Sequence, residues 1–224
     1  MGYFRSSIGK KQMMAISGLA MVLFLFAHLS GNMLVFMGPQ AINDYSDFLH
    51  HLGHGAALWA TRIGLLAAVV IHFITVVQLV IENRRARQVA YDAPLHADTR
   101  SFATKSMRVT GMIILVYIGW HLYDYTLTPH TMDNSVVDGV YLGLYGHLYN
   151  SFLNPARVIG YVIAMIALGL HLSHSIQSVF QTFGFNHPVY TPKIKKASLL
   201  IGVVLAIGFS SVPLYVQYVH HFCG

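Results

Sequence analysis

Residues 12–43 read QMMAISGLAMVLFLFAHLSGNMLVFMGPQAIN, a run of 32 residues without a charged side chain. A bilayer core about 30 Å thick is crossed by roughly 20 residues of helix, so this run is long enough to span a membrane. Further uncharged runs occupy 63–81, 109–123, 158–192 and 197–224. The run at 109–123 is short, but the flanking Arg108 and Asp124 can reach the interface and let the helix extend. The sequence therefore predicts an all-α membrane protein, a bundle of five transmembrane helices.

The composition excludes a freely soluble enzyme. Hydrophobic residues make up 55% of the 224 residues and charged residues only 10%, whereas soluble domains carry about 25% charged residues. The first run continues at full spanning length with no small-residue cleavage site, so we interpret it as a retained helix and not as a signal peptide. Cys223 is the one cysteine, which leaves no disulfide within the chain and no thiolate metal cluster.

The charged residues also set the expected boundaries. We predict one membrane domain over 1–224, with helices I to V at about 11–37, 59–83, 103–127, 157–183 and 196–220. The segment at about 139–154 is uncharged, but it is rich in tyrosine, histidine and asparagine. Such a segment is too polar for the hydrocarbon core, and tyrosine favours the membrane surface, so we expect an interfacial segment on the outer side.

The basic residues predict the orientation. Twelve of the fourteen lie before helix I, between helices II and III, or between helices IV and V, while Arg62 and Arg157 lie on the other side. By the positive-inside rule the N-terminus is cytoplasmic and the C-terminus is outside. The net charge of +6 is then a signal of topology and of contact with anionic lipid, and not of nucleic-acid binding.

Each of the predicted helices I to IV contains a histidine, in order His28, His72, His121 and His171. An imidazole at membrane depth is costly without a partner, so four on successive helices indicate function more strongly than one. His28 lies 17 residues beyond Lys11, about 25 Å from the inner edge, and His121 lies 3 residues before Asp124. These two are expected near the outer side, and His72 and His171 deeper.

Pairs of imidazoles from facing helices are suited to axial ligation of haem iron. A zinc or copper site needs three or four ligands at one point, which two depths do not offer. Glycines on these helices would let a flat ring approach, although tight helix packing explains them equally well. The residues thus favour two b haems stacked across the membrane, held in haem sites between helices I to IV.

Three segments carry a resemblance to a known family. They are SSIGKKQMMAISGLAMVLFLFAHLSGNMLVFMGP at 6–39, TRIGLLAAVVIHF at 61–73 and HLSHSIQSVFQTFG at 171–184. The chain resembles, over nearly its whole length, the single-chain, di-haem cytochrome b membrane anchors of succinate:quinone oxidoreductases and quinol:fumarate reductases. In that family the ligands pair helix I with III and helix II with IV, as the depths also suggest.

The resemblance implies that His28 and His121 hold the distal haem and that His72 and His171 hold the proximal haem. His174 is a rival to His171, one turn away. The family's ligand histidine is followed thirteen residues later by glycine, which fits His171 with Gly184. Some menaquinol-oxidising members carry a glutamate two residues before this ligand. Gly169 stands there in this chain, so the resemblance does not extend to that proton pathway.

The resemblance further implies partners at the cytoplasmic face of a bacterial inner membrane: a flavoprotein with covalent FAD and an iron-sulfur subunit. This chain would carry electrons between them and a membrane quinone, with menaquinone expected, and dicarboxylate chemistry would take place elsewhere. The sequence does not decide between succinate oxidation in the tricarboxylic acid cycle and fumarate reduction. It also leaves open a coupling to the membrane potential and a higher oligomer of the complex.

Haem propionates and quinone need polar partners. Basic and hydroxyl residues near the membrane edges are propionate candidates, with interfacial anchoring as the alternative; they are Lys11, Ser17, Arg62, Arg108 and Arg157. His174 is a further candidate, or it simply satisfies a backbone carbonyl. Quinone reduction takes up protons, so Asp44, Tyr45 and Asp47 between helices I and II are candidates for a distal quinone site. A hydrated outer loop with a short interfacial helix explains them as well, and a proximal site stays open.

Two other classes of function fit four membrane histidines. One is a di-haem cytochrome b that serves a hydrogenase or formate dehydrogenase; the five-helix count and the segment at 171–184 argue against it. The other is a haem-free transporter or channel with a histidine proton relay. A reduced-minus-oxidised visible spectrum separates the last class from both cytochromes.

Overall fold

Long helices make up most of the computed structural model, which describes residues 2–3, 6–86, 102–129 and 131–222, without the side chains of 102–105. The helices, in order, are α1 (Ser7–Asn32), α2 (Pro39–His51), α3 (Ala56–Ala86), α4 (Phe102–Leu122), α5 (Met132–Ser135), α6 (Gly143–Phe152), α7 (Pro155–Thr182) and α8 (Thr191–Phe222). A short antiparallel pair, β1 (Val136–Val137) and β2 (Val140–Tyr141), precedes α6. The prediction of an all-α membrane protein is confirmed.

Four helical segments in the described part of the chain are long and apolar enough to cross a membrane: Ser7–Met37, Ala56–Ala86, Pro155–Thr182 and Thr191–Phe222. The first includes a 3-10 turn, Met33–Met37, that continues α1. Helix α4 continues through a π-helical turn, Tyr123–Leu127, which gives it a spanning length of about 39 Å. Its C-terminal half and the turn that follows carry His121 and Asp124, and it is not among the four segments. The count of five spans therefore stays a prediction.

Local capping explains where the helices start. The Ser6 hydroxyl accepts a hydrogen bond from the Gly9 amide at 3.1 Å and so caps α1. Asn154 caps α7 in the same way through the amide of Ala156, at 2.9 Å. Proline stands at the first position of both α2 and α7, where its missing N–H and fixed φ suit a helix start. The starts of α1, α2 and α7 are therefore set by particular residues.

The long helices associate in two pairs. Helix α1 packs along α3, and α4 packs along α7; α1 also contacts α7 and so joins the pairs. At one end of the first pair Lys10 of α1 forms a salt bridge with Glu82 of α3. Helix α8 packs along α7. The four predicted haem ligands thus lie on α1, α3, α4 and α7, the four helices that these contacts connect.

Helices α7 and α8 approach each other closely at a pair of glycines. A Cβ atom added at Gly169 would lie 3.0 Å from the carbonyl oxygen of Gly202, and one added at Gly202 would lie 2.5 Å from the carbonyl oxygen of Gly169. Real side chains do not tolerate such distances to backbone. This small-residue contact explains how two helices pack tightly without a hydrophobic driving force from water.

Helices α2 and α6 are tied together at one end of the bundle. The Asn43 side chain donates to the carbonyl of Leu142 at 2.9 Å and accepts from the amide of Tyr145 at 3.2 Å. Helix α6 lies in the segment predicted to be interfacial, yet Leu148 and Phe152 on one of its faces are buried. They pack in a cluster with residues of α7 and α8. The segment therefore contributes to the core as well as to the surface.

Candidate functional site

The His72 ring is held by the neighbouring helix α1. Its Nδ1 atom lies 3.1 Å from the carbonyl oxygen of Met14 and 3.4 Å from the Ser17 hydroxyl. Gly18 makes room for the ring, because a Cβ atom there would stand 3.3 Å from Cε1 of His72. A carbonyl oxygen can only accept, so Nδ1 carries the proton and donates it. The other ring nitrogen, Nε2, then has its lone pair free for a ligand.

The His171 ring is held by α4 with the same kinds of groups. Its Nδ1 atom lies 3.3 Å from the Thr110 hydroxyl, and the ring lies near the backbone of Met107. A Cβ atom at Gly111 would stand 3.4 Å from its Cε1. His72 and His171 thus have equivalent surroundings. Each lies against a hydroxyl residue, the next residue in sequence, which is a glycine, and the backbone of the methionine three residues before the hydroxyl. We name His72 and His171 the inner pair, after their predicted depth. The two rings are close enough to interact electrostatically.

His28 and His121, the outer pair, lie side by side. Their ring centroids are 5.8 Å apart, with an angle of 75° between the planes. Two imidazoles on opposite sides of one metal, each about 2 Å from it, would have centroids about 6 Å apart. Aromatic rings surround the pair: Phe24 and Phe209 contact His28, and Tyr117 and Tyr125 contact His121. The spacing and the apolar surroundings suit an axial ligand pair.

The outer pair has fewer hydrogen bonds than the inner pair. The Asn32 amide lies 3.4 Å from Nε2 of His28 and donates to the His28 carbonyl at 2.8 Å. The Nδ1 atom of His121 is buried and has no hydrogen-bond partner among the described residues. A buried polar atom without a partner costs free energy. Coordination of one ring nitrogen and hydrogen bonding of the other is how metal-bound imidazoles are satisfied.

The two pairs stand at separate levels. On α1, Gly18 marks the level of His72, and His28 follows ten residues later; on α4, Gly111 marks the level of His171, and His121 follows ten residues later. Ten residues of helix span about 15 Å. The described residues contain no group of three or more histidine, cysteine, aspartate and glutamate side chains that could hold a metal ion. The donor set thus offers two imidazole pairs, which fits two axially ligated haems.

A buried ion pair beside the outer pair was not predicted. Asp124, only 3% exposed, accepts from both guanidinium nitrogens of Arg157 at 3.0 and 3.1 Å and from the Tyr161 hydroxyl at 3.0 Å. Arg157 also donates to the Ser151 hydroxyl at 2.6 Å, and His147 of α6 contacts the Asp124 backbone carbonyl at 2.9 Å. The sequence placed Asp124 and Arg157 at helix ends and offered Arg157 as a propionate candidate, and no spacing pattern links residues 33 positions apart.

The propionate candidates have varied surroundings. Ser17 is buried and faces His72, and Arg157 is engaged with Asp124. Arg62 stacks over the Trp59 ring at 5.3 Å. Nε2 of His174 lies 3.2 Å from the Ser178 hydroxyl. Lys11 and Arg108 are exposed. The structure thus gives Ser17 and Arg157 protein partners, and their role as propionate partners stays a prediction, as it does for the other four.

The three quinone candidates lie on α2. Asp44 and Asp47 are exposed; Asp44 accepts from Gln40 at 2.7 Å, and Asp47 lies 3.2 Å from Nδ1 of His51. The Tyr45 ring packs on Gly31 of α1, where a Cβ atom would be 2.6 Å from it. Gly31 follows His28 by three residues, so Tyr45 reaches the level of the outer pair. Asp44 and Asp47 line an open groove between α2 and the start of α6.

One curated protein gives the chain a named relative. The chain is 23% identical, over 196 residues, to the succinate dehydrogenase cytochrome b558 subunit of Bacillus subtilis (strain 168), and the match covers 86% of each chain. No protein-family model matches the chain, and no solved structure does so. The similarity confirms the resemblance to the cytochrome b anchors of succinate:quinone oxidoreductases.

Proposed function

We propose that this chain is the haem-containing membrane anchor of a succinate dehydrogenase or fumarate reductase complex, and that it passes electrons between an iron-sulfur subunit and a membrane quinone, with menaquinone as the expected type. The observation that carries the proposal is the arrangement of two imidazole pairs at two levels of one bundle. The similarity to a cytochrome b558 subunit supports both the haem and membership of an enzyme complex.

Four residues would hold the two haems as axial ligands. His28 and His121 would hold the distal haem, and His72 and His171 the proximal haem. When bound, each haem supplies a one-electron carrier. The protein contributes orientation: Met14 and Ser17 fix the His72 ring, and Thr110 fixes the His171 ring. The aromatic rings around His28 and His121 keep water away from the outer pair.

We propose the quinone site near α2, on the side of the outer pair. Tyr45 contacts α1 three residues beyond His28, and the nearby carboxylates of Asp44 and Asp47 reach water. Protons for quinone reduction would therefore enter from the exposed face of α2, with Tyr45 between that face and the bundle. Replacement of Tyr45 by Phe is expected to lower the quinone-dependent turnover with both haems retained. Unchanged turnover with Tyr45→Phe and with Asp47→Asn would exclude this site.

The remaining features of the proposal follow from the basic loops. With the N-terminus in the cytoplasm, a flavoprotein with FAD and an iron-sulfur subunit would dock on the side of Lys10 and Lys11, in a bacterial inner membrane. Arg87 and Arg100, between α3 and α4, lie outside the described residues, and Lys105 of α4 is among the residues without described side chains. Helix α4, which corresponds to the predicted helix III, is the additional membrane span that brings the count to five in this proposal.

A difference spectrum of the purified chain tests the haem. We expect a b-type α band and, by pyridine haemochrome assay, two haems b per chain. Absence of the band would remove every cytochrome interpretation and leave the proton-relay transporter. His174→Ala is expected to keep both haems, whereas His171→Ala loses one. The reverse pattern would move the helix IV ligand to His174.

A pull-down through a tag on this chain identifies the complex. We expect a succinate-oxidising flavoprotein and an iron-sulfur protein in stoichiometric amounts, together with succinate:quinone or quinol:fumarate activity. A hydrogenase or formate dehydrogenase module in their place would assign the cytochrome to another quinone-linked dehydrogenase.

A further inference from the structure

The hydroxyl groups of Ser17 and Thr110 stand in equivalent positions toward the inner pair. Each hydroxyl donates its own proton back to its helix: Ser17 to the carbonyls of Met13 and Met14 at 2.8 and 3.1 Å, and Thr110 to those of Ser106 and Met107 at 3.1 and 3.2 Å. The oxygen lone pairs are then left to accept from the histidine Nδ1–H groups, at 3.4 Å for Ser17 and 3.3 Å for Thr110, while the Met14 carbonyl also accepts from His72 at 3.1 Å. Both hydroxyls are nearly inaccessible, at 6% and 4% exposure.

We infer that Ser17 and Thr110 are positioning residues that set the basicity of the inner ligands, His72 and His171, through their Nδ1–H groups. The inference rests on the proposed function, because it needs a haem between these two histidines. An acceptor on the remote N–H orients the ring and raises its basicity as a ligand. A more basic ligand stabilises the ferric state over the ferrous state, so the two hydroxyls hold the midpoint potential of the inner haem down.

The outer pair lacks an equivalent arrangement. The polar contact of the His28 ring is with an amide donor, Asn32, at 3.4 Å, and Nδ1 of His121 has no hydrogen-bond partner among the described residues. The inference therefore predicts that loss of the hydroxyls changes one haem and leaves the other as it was. It gives Ser17 a role toward an imidazole, in addition to or in place of the propionate role expected from its position.

The test uses the purified complex with its partner subunits and four variants. Ser17→Ala and Thr110→Val remove the two acceptors. Ser198→Ala is the matched control for Ser17→Ala: Ser198 is fully buried, and its hydroxyl donates to the carbonyl of Ile194 at 2.8 Å. Thr75→Val is the matched control for Thr110→Val: Thr75 is 3% exposed and donates to the carbonyls of Ile71 and His72 at 2.6 and 2.9 Å.

Spectroelectrochemical titration measures the midpoint potentials of both haems. The haem that remains in His121→Ala identifies which potential belongs to the inner haem. We expect an upward shift of the inner midpoint potential in Ser17→Ala and in Thr110→Val, an unchanged outer potential, and unchanged potentials in both controls. Thr110→Ser, which keeps the hydroxyl, is expected to restore the original potential. No inner shift in either variant, or an equal shift in the controls, would overturn the inference.

Loss of haem is also informative. If Thr110→Val loses the inner haem while Thr110→Ser and Thr75→Val keep it, the hydroxyl positions the ligand, as proposed. If Thr110→Val and Thr110→Ser lose it alike, the hydroxyl has no part in holding it and the inference fails. A wild-type complex without two haems would instead contradict the proposed function itself, so the two failures are distinguishable.

Discussion

The inner and outer histidine pairs are positioned by different interactions. His72 and His171 each contact a hydroxyl, a glycine and the backbone of the adjacent helix. His28 and His121 are set by aromatic packing, next to the buried ion pair of Asp124 and Arg157. One bundle can therefore orient histidine rings by directed hydrogen bonds at one level and by packing at another.

The largest expected effect is loss of one haem from a single ligand substitution. His121→Ala is expected to remove only the outer haem, because the inner ligands bond to helices α1 and α4 at a level about 15 Å away. His72→Ala is expected to remove only the inner haem. The haem content and the potential of the remaining component in each variant check this, and loss of the inner haem alone in His121→Ala would contradict the pairing.

The second prediction concerns the ion pair beside the outer ligands. Arg157→Ala leaves the carboxylate of Asp124 buried with no guanidinium, which costs about 3 to 5 kcal/mol for a pair of this kind. Asp124→Asn is expected to cost less, because the Arg157 side chain is 32% exposed and can reach water. Thermal denaturation of the purified complex, monitored by the absorbance of each haem, measures both variants.

The outer haem is expected to be released first in Arg157→Ala. Equal stability of both haems in that variant would show that the ion pair supports the bundle generally and not the outer pair. A greater loss in Asp124→Asn than in Arg157→Ala would contradict the reasoning from burial.

The third prediction concerns the glycines that make room for the inner ligands. Gly18→Val is expected to displace the His72 ring and destabilise the inner site by about 1 to 3 kcal/mol, as overpacking does. Gly64→Val is the matched control, since an added Cβ atom at Gly64 on helix α3 meets no atom within 4 Å. Thermal release of the inner haem is the measurement. A similar loss in both variants would attribute the effect to helix propensity alone.

The smallest effect is expected for Asn32→Ala. The amide contact to the His28 ring is long, at 3.4 Å, so its loss is expected to cost about 0.5 to 1.5 kcal/mol, mainly through the bond to the His28 carbonyl. The outer midpoint potential is expected to stay within the error of titration. A clear shift there would show that the outer pair is also tuned by hydrogen bonding, and the contrast between the pairs would weaken.

The sequence predicts the class of fold well because scarcity of charge is a property of composition, which does not depend on how helices face each other. The all-α membrane class is confirmed for that reason. The number of spans does not follow from composition in the same way. Helix α4 combines apolar residues with His121 and Asp124, so hydropathy alone does not identify it as a span. The assignment of α4 as the fifth span therefore rests on its length and on its position in the bundle.

The contacts between helices could not be predicted. Ser17 was assigned from its position near the membrane edge, but the rotation of α1 directs it to His72. Asp124 and Arg157 were assigned to helix ends as separate interfacial charges, and they meet because α4 packs along α7. Depth follows from counting residues along one helix, whereas partnership depends on the rotation of two helices, which one sequence does not specify.

The glycine contact between α7 and α8 also limits how this chain can change over evolution. Some menaquinol-oxidising members of the family that the chain resembles carry a glutamate at the position that Gly169 occupies. In this chain any side chain at 169 meets the backbone of Gly202 and the Cβ atom of Ala206 at 3.0 Å. A substitution to glutamate would require α8 to give way at this contact. We therefore expect a carboxylate at position 169 to be accompanied by a change in α8.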